Sequence, residues 1–173
     1  SQSLRASHSK AAPRVTDSLP STTRVPEIPP GDDIPPTFPR MSEHARICRI
    51  GPVACGPRQL PVVIAGLCVL ESRELGFQVA ELLRNACDEA RLPLIFKGSF
   101  DKANRSSIRS ARGPGIELGL KWLSEIRESL DLPVTTDIHE PSHALPVAEV
   151  VDCLQVPAFL CRQTDLLLAA GEA

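Results

Sequence analysis

The chain has 173 residues, a length that fits one domain with room for a tail. Hydrophobic residues make up 42% and charged residues 23%, with a formal net charge of −2, the profile of an ordinary globular protein. That balance argues against a nucleic-acid partner, and no apolar run approaches the roughly 18 residues a membrane-spanning helix requires.

Six cysteines (48, 55, 68, 87, 153 and 161) are scattered along a chain without a secretory apolar region. Three sit inside apolar runs, which predicts reduced, buried thiols and a cytoplasmic protein rather than a disulfide framework. Residues 1–41 read as a disordered extension. Prolines at 13, 20, 26, 29, 30, 35, 36 and 39 alternate with Ser, Thr and Arg. Such a segment buries too little apolar surface to offset the entropy of ordering it. Arg5, Lys10 and Arg14, with no acid among the first sixteen residues, give it a faint transit-peptide character. The favoured reading takes Met41, the single methionine, as the natural start and residues 1–40 as upstream sequence.

Residues 42–60 show short apolar alternation broken at Gly51-Pro52 and again at Gly56-Pro57, which predicts a small hairpin. From Pro61 to Ala173 the rhythm is strand, polar loop, amphipathic helix, repeated. Val62–Ala65 is the first strand. Ser72 then caps a helix whose face is Leu75, Val79, Leu82, Leu83, Ala86 and Ala90. Leu94–Phe96 is the second strand, and Pro114 opens a helix faced by Ile116, Leu120, Leu123, Ile126 and Leu130. Pro133–Thr136, a helix over 142–151, a strand over Cys153–Val156 and a helix from Arg162 complete the pattern. Apolar strands joined by helices mean a parallel sheet, so the fold class is α/β in the order βαβαβαβα.

The richest stretch is Lys97-Gly98-Ser99-Phe100-Asp101-Lys102-Ala103-Asn104-Arg105-Ser106-Ser107. Lysines and an arginine supply charge, while asparagine and serines supply neutral donors, a mixture suited to a small phosphorylated, hydroxylated ligand. Taken alone, a solvated basic loop is the commoner fate of such a run. It does not stand alone. Ala65-Gly66-Leu67-Cys68-Val69-Leu70-Glu71-Ser72, Thr135-Thr136-Asp137-Ile138-His139-Glu140 and Leu154-Gln155-Val156-Pro157-Ala158-Phe159-Leu160-Cys161-Arg162-Gln163-Thr164-Asp165 follow the same order as blocks of one known family. From about Arg46 onward the chain resembles 3-deoxy-D-manno-octulosonate 8-phosphate synthases.

The resemblance implies the N-terminal half of a (β/α)8 TIM barrel of about four βα units, with the hairpin closing the barrel bottom. The implied reaction condenses phosphoenolpyruvate with D-arabinose 5-phosphate and water, releasing phosphate, in the synthesis of the acidic octulosonate of lipopolysaccharide. Lys97, Ser99, Lys102, Gln155, Ala158 and Phe159 then correspond to the phosphoenolpyruvate subsite. Asn104, Arg105 and Ser106 correspond to arabinose 5-phosphate contacts, and Lys102, Asp137 and His139 to catalytic positions. Cys68 marks the metal-dependent class and corresponds to one ligand of a divalent ion such as Zn, Fe or Mn. The other ligands would come from a second half-barrel, so this chain alone is expected to hold a metal weakly or not at all and to be silent. A homo-oligomer, tetrameric in the family, is also implied. The sequence departs from the family at Leu67, where proline is usual, and at Gly98, where serine is usual, which predicts a looser loop. Two other readings stay open: a related condensing enzyme of the heptulosonate type, and a silent, self-associating half-barrel with open sheet edges.

Overall fold

The computed structural model describes residues 47–103, 107 and 112–173. The predicted disordered extension lies outside them. Cys48–Ile50 (β1) and Val53–Cys55 (β2) form the predicted antiparallel hairpin, with Ile50 opposite Val53 across the Gly51-Pro52 turn. A side chain at Gly51 would stand 3.1 Å from Asp152 and 3.5 Å from Pro133, so the turn lies against the residues that precede two strands of the main sheet.

That sheet has four parallel strands in sequential order: Val63–Leu67 (β3), Leu94–Gly98 (β4), Val134–Asp137 (β5) and Cys153–Gln155 (β6). The helices are Arg73–Ala90 (α1), Ile116–Leu130 (α2), Ala144–Ala148 (α3) and Thr164–Glu172 (α4). Side chains alternate along each strand. One set, including Phe96 and Val134, packs with Leu123 and Ile126 of α2 and Ala80 of α1, all with no solvent exposure. The other set carries Lys97, Thr135, Asp137 and Gln155, in register from strand to strand.

Helix ends follow local chemistry. The Ser72 hydroxyl accepts from the Leu75 amide at 3.1 Å, making it the predicted cap of α1. Both long helices stop at a residue in the left-handed region, Arg91 (φ 55°) and Asp131 (φ 50°), each followed by Leu-Pro. The Leu92 and Leu132 amides reach back to the Cys87 and Arg127 carbonyls. The Pro93 and Pro133 carbonyls then accept from Val63 and Phe96 and start the next strand pairing. One turn recipe is used twice.

Several expectations change. The α2 stripe is as read, with Gly119 added: a side chain there would meet the Phe100 Cβ at 2.3 Å. The buried stripe of α1 is instead Gly76, Ala80 and Cys87, and Leu82 is 69% exposed. Small residues win this face because α1 packs closely on α2, with Ile126 only 3.2 Å from where a Gly76 side chain would begin. Pro114 precedes the cap Gly115 instead of opening α2. The helix expected over 142–151 is a 3-10 turn, Pro141–His143, followed by the short α3. Of the six thiols only Cys87 is buried; Cys48, Cys68 and Cys161 are exposed.

Candidate functional site

The C-terminal ends of all four parallel strands converge on one cleft of about 310 Å³. Cys68 follows β3, Lys97 lies in β4 with Ser99 just beyond it, Asp137 ends β5 and Gln155 ends β6. Pro157, Ala158 and Phe159 close one side, and Asp101 and Lys102 another. Eight residues singled out from the sequence therefore line the same space: Cys68, Lys97, Ser99, Lys102, Asp137, Gln155, Ala158 and Phe159. Asn104, Arg105 and Ser106 lie outside the described residues.

A polar chain runs from Lys97 in the cleft to His139, which stands behind Asp137 and does not line the cleft. The Lys97 ammonium donates to Ser99 Oγ at 2.7 Å and sits 3.5 Å from Asp137 Oδ1. The Ser99 hydroxyl donates to the same carboxylate oxygen. The other oxygen, Oδ2, is 2.9 Å from His139 Nε2. Burial works to raise the Asp137 carboxyl, but the hydrogen bonds from His139 and Ser99 and the charge of Lys97 overcome it and hold it at about 2. Asp137 is thus a fixed anion at neutral pH. His139, with only 9% of its side chain exposed, spans two carboxylates: its Nδ1 is 4.0 Å from Asp101 Oδ2. That Nδ1 is buried and has no hydrogen-bond partner among the described residues.

Three supporting residues carry no role in the sequence reading. Asp101 receives a two-pronged contact from Arg112, with Nε at 2.8 Å, and the Lys102 amide donates to the Arg112 carbonyl at 2.6 Å. These contacts tie the two ends of the basic loop together. His143 accepts from the His139 amide through Nδ1 at 3.4 Å and stands edge-on to Phe100 at 5.4 Å. Burial pushes His143 below its ordinary value, against the raising pull of Glu140, which leaves Nδ1 able to accept. The spacing His139-x-x-x-His143 is the visible signal, but only the turn between them makes it a contact.

The two departures from the family pattern are accommodated. Gly98 is buried inside β4, and a side chain there would meet Leu70 Cδ2 at 2.8 Å, so Leu70, fully buried, fills that space. Leu67 ends β3, pairs with Gly98 and packs against the core.

Cys68 lines the cleft with its thiol exposed. Among the described residues no group of three His, Cys, Asp or Glu side chains is close enough to share a metal ion. One thiol does not make a metal site.

A parallel α/β sheet whose chemically rich loops all leave its strands' C-terminal ends has the layout of consecutive units of a (β/α) barrel, with the site where such barrels place it. The chain belongs to the DAHP synthetase I family, whose model matches residues 40–173. Three curated relatives bear the name 2-dehydro-3-deoxyphosphooctonate aldolase. That of Syntrophobacter fumaroxidans is 58% identical over 109 residues, covering 63% of this chain and 38% of its own length. That of Granulibacter bethesdensis is 56% identical over 130 residues (75% and 46%), and that of Fusobacterium nucleatum is 53% identical over 124 residues (72% and 45%). The chain spans less than half the length of these relatives.

Proposed function

We propose that this cleft is the phosphoenolpyruvate-binding part of a 3-deoxy-8-phosphooctulonate synthase site. The reaction joins C3 of phosphoenolpyruvate to the aldehyde carbon of arabinose 5-phosphate; water adds at C2 and phosphate leaves. The observation that carries the reading is the convergence of Lys97, Lys102, Ser99 and Gln155, from strand ends and the loop beyond β4, on a single cleft. Lys97 and Lys102 offset the charge of the enol phosphate and carboxylate, Ser99 and Gln155 orient them, and Ala158 and Phe159 wall the cleft. Asp137, held ionised, fixes the Lys97 ammonium and the His139 ring, and Lys102, Asp137 and His139 are assigned to catalysis. Asn104, Arg105 and Ser106 are assigned to the sugar phosphate. Cys68 is assigned to a divalent ion only if further donors come from outside the described residues. A cytoplasmic, homo-oligomeric protein completes the proposal. No helix among the described residues is long and apolar enough to cross a membrane.

The test is calorimetric titration of phosphoenolpyruvate into the chain and into Lys97→Gln and Lys102→Gln. Each variant is expected to weaken binding about tenfold or more, the loss of one charge-assisted contact. Unchanged affinity in both would overturn the assignment. The family description keeps the heptulosonate-type reaction as a second reading. Phosphate release dependent on arabinose 5-phosphate, but not on erythrose 4-phosphate, separates the two.

A further inference from the structure

At the opposite end of the sheet from the cleft, two thiols face each other. Cys48 and Cys55 are direct cross-strand partners in the hairpin. Opposed residues of an antiparallel pair have Cα atoms about 4.5–5.5 Å apart. That falls within the roughly 4.4–6.8 Å a disulfide spans. The Cys48 thiol already reaches across the pair, donating to the Cys55 carbonyl at 3.5 Å. Cys48 is exposed and Cys55 half-buried, and neither is bonded to another sulfur in this structure. An oxidant can therefore reach one thiol while its partner waits beside it.

We propose that Cys48 and Cys55 form a reversible dithiol–disulfide site, oxidised by peroxides. The Cys48 thiolate attacks one peroxide oxygen, the O–O bond breaks, and Cys48 becomes a sulfenic acid with release of water or alcohol. The Cys55 sulfur then attacks the sulfenic sulfur, its proton leaves with the hydroxyl as water, and the S–S bond forms. For hydrogen peroxide the balance is two thiols and one peroxide giving one disulfide and two waters.

The site has leverage because a hairpin with three residues in each strand is marginal on its own. A covalent link across β1 and β2 would stiffen the element whose turn lies against Asp152 and Pro133, ahead of β6 and β5. Cys153 of β6 is a third thiol close enough for its charge to be felt at Cys55, and it supplies the competing outcome. Cys48 is the more exposed of the two, which favours it as the sulfur oxidised first, while burial, then Cys48 and Cys153, push the Cys55 thiol up.

The experiment treats the purified chain with a few equivalents of hydrogen peroxide, alkylates the remaining thiols and digests with trypsin. Cleavage after Arg49 places the two cysteines on separate peptides. The disulfide is then read as a linked pair, two hydrogens lighter than its parts and separated by dithiothreitol. The Cys48–Cys55 pair is expected to be the first linkage to form, to vanish in Cys48→Ser and in Cys55→Ser, and to persist in Cys153→Ser. Linkage of Cys55 to Cys153 instead, or oxidation of Cys68 and Cys161 while Cys48 and Cys55 stay alkylated, would overturn the proposal.

Discussion

Asp137→Asn probes whether the cleft is built around a permanently ionised carboxylate. Burial by itself would raise this group, yet His139, Ser99 and Lys97 together hold it at about 2, against 3.8 for an unperturbed aspartate. A tenfold change in proton affinity corresponds to about 1.4 kcal/mol, so ionised Asp137 contributes on the order of 2 kcal/mol to folding at neutral pH. Only 14% of the side chain is exposed, so little of that is lost to solvent screening. The folded value lies below the unfolded one, so the contribution is complete above about pH 4 and is lost as pH falls toward about 2. Asparagine keeps the shape and one acceptor, but its amide turns a donor toward either Ser99 or His139. Urea unfolding of wild type and variant should give a gap of about 2 kcal/mol that is flat from about pH 7 to pH 4 and narrows below. A carbon-13 titration of the Asp137 carboxyl should show its midpoint at about 2. A gap that stays constant down to about pH 2, with the carboxyl titrating near its free value, would refute the reasoning, because burial would then not have been overcome.

Other substitutions test the frame around the cleft. Gly66→Ala places a Cβ 1.9 Å from the Lys97 carbonyl at a backbone φ of +153°, so it should cost on the order of 3 kcal/mol or prevent folding, read by thermal unfolding. Leu70→Ala should cost about 2–5 kcal/mol. Gly98→Ala should be milder in that background than alone, because the clash is with Leu70 itself, and strict additivity in a double-mutant cycle would contradict this. Ser72→Ala should lower stability by about 1 kcal/mol through loss of the Leu75 amide's acceptor, again by urea unfolding.

What is legible in the sequence depends on whether the signal is local. Strands, the Ser72 cap, the hairpin and the α2 face all rest on spacing within one element, and each lies close to where spacing puts it. Apolarity places the α1 face a notch round the helix, because Leu82 and Ala86 suit a core better than Gly76 does. That preference ignores how closely α2 approaches, which leaves no room for a large side chain. Gly98 has a neighbour of the same kind: the space beside it is filled by Leu70, distant in sequence but in contact with β4. The cleft residues are legible because each chemically rich segment follows a strand. The supports, Arg112 on Asp101 and His143 on His139, exist only through loop closure and a turn that no periodicity announces.

The charges in the cleft explain why a basic loop needs acids. Lys97 and Lys102 face Asp101 and Asp137 across the same space, a formal balance of zero before any ligand arrives. Lys97 lies 3.5 Å from the Asp137 carboxylate, whereas no carboxylate among the described residues is within ion-pair distance of Lys102. The two lysines are therefore not equivalent. Lys102, on the loop tied to Arg112, carries its charge without a carboxylate partner among those residues. Lys97 is held in place by Ser99 and Asp137. A pair of bare lysines on a strand end would repel each other and wander. The aspartate aims one, the Ser99 bridge sets its height, and the fold delivers all three because β4 and β5 are adjacent and parallel.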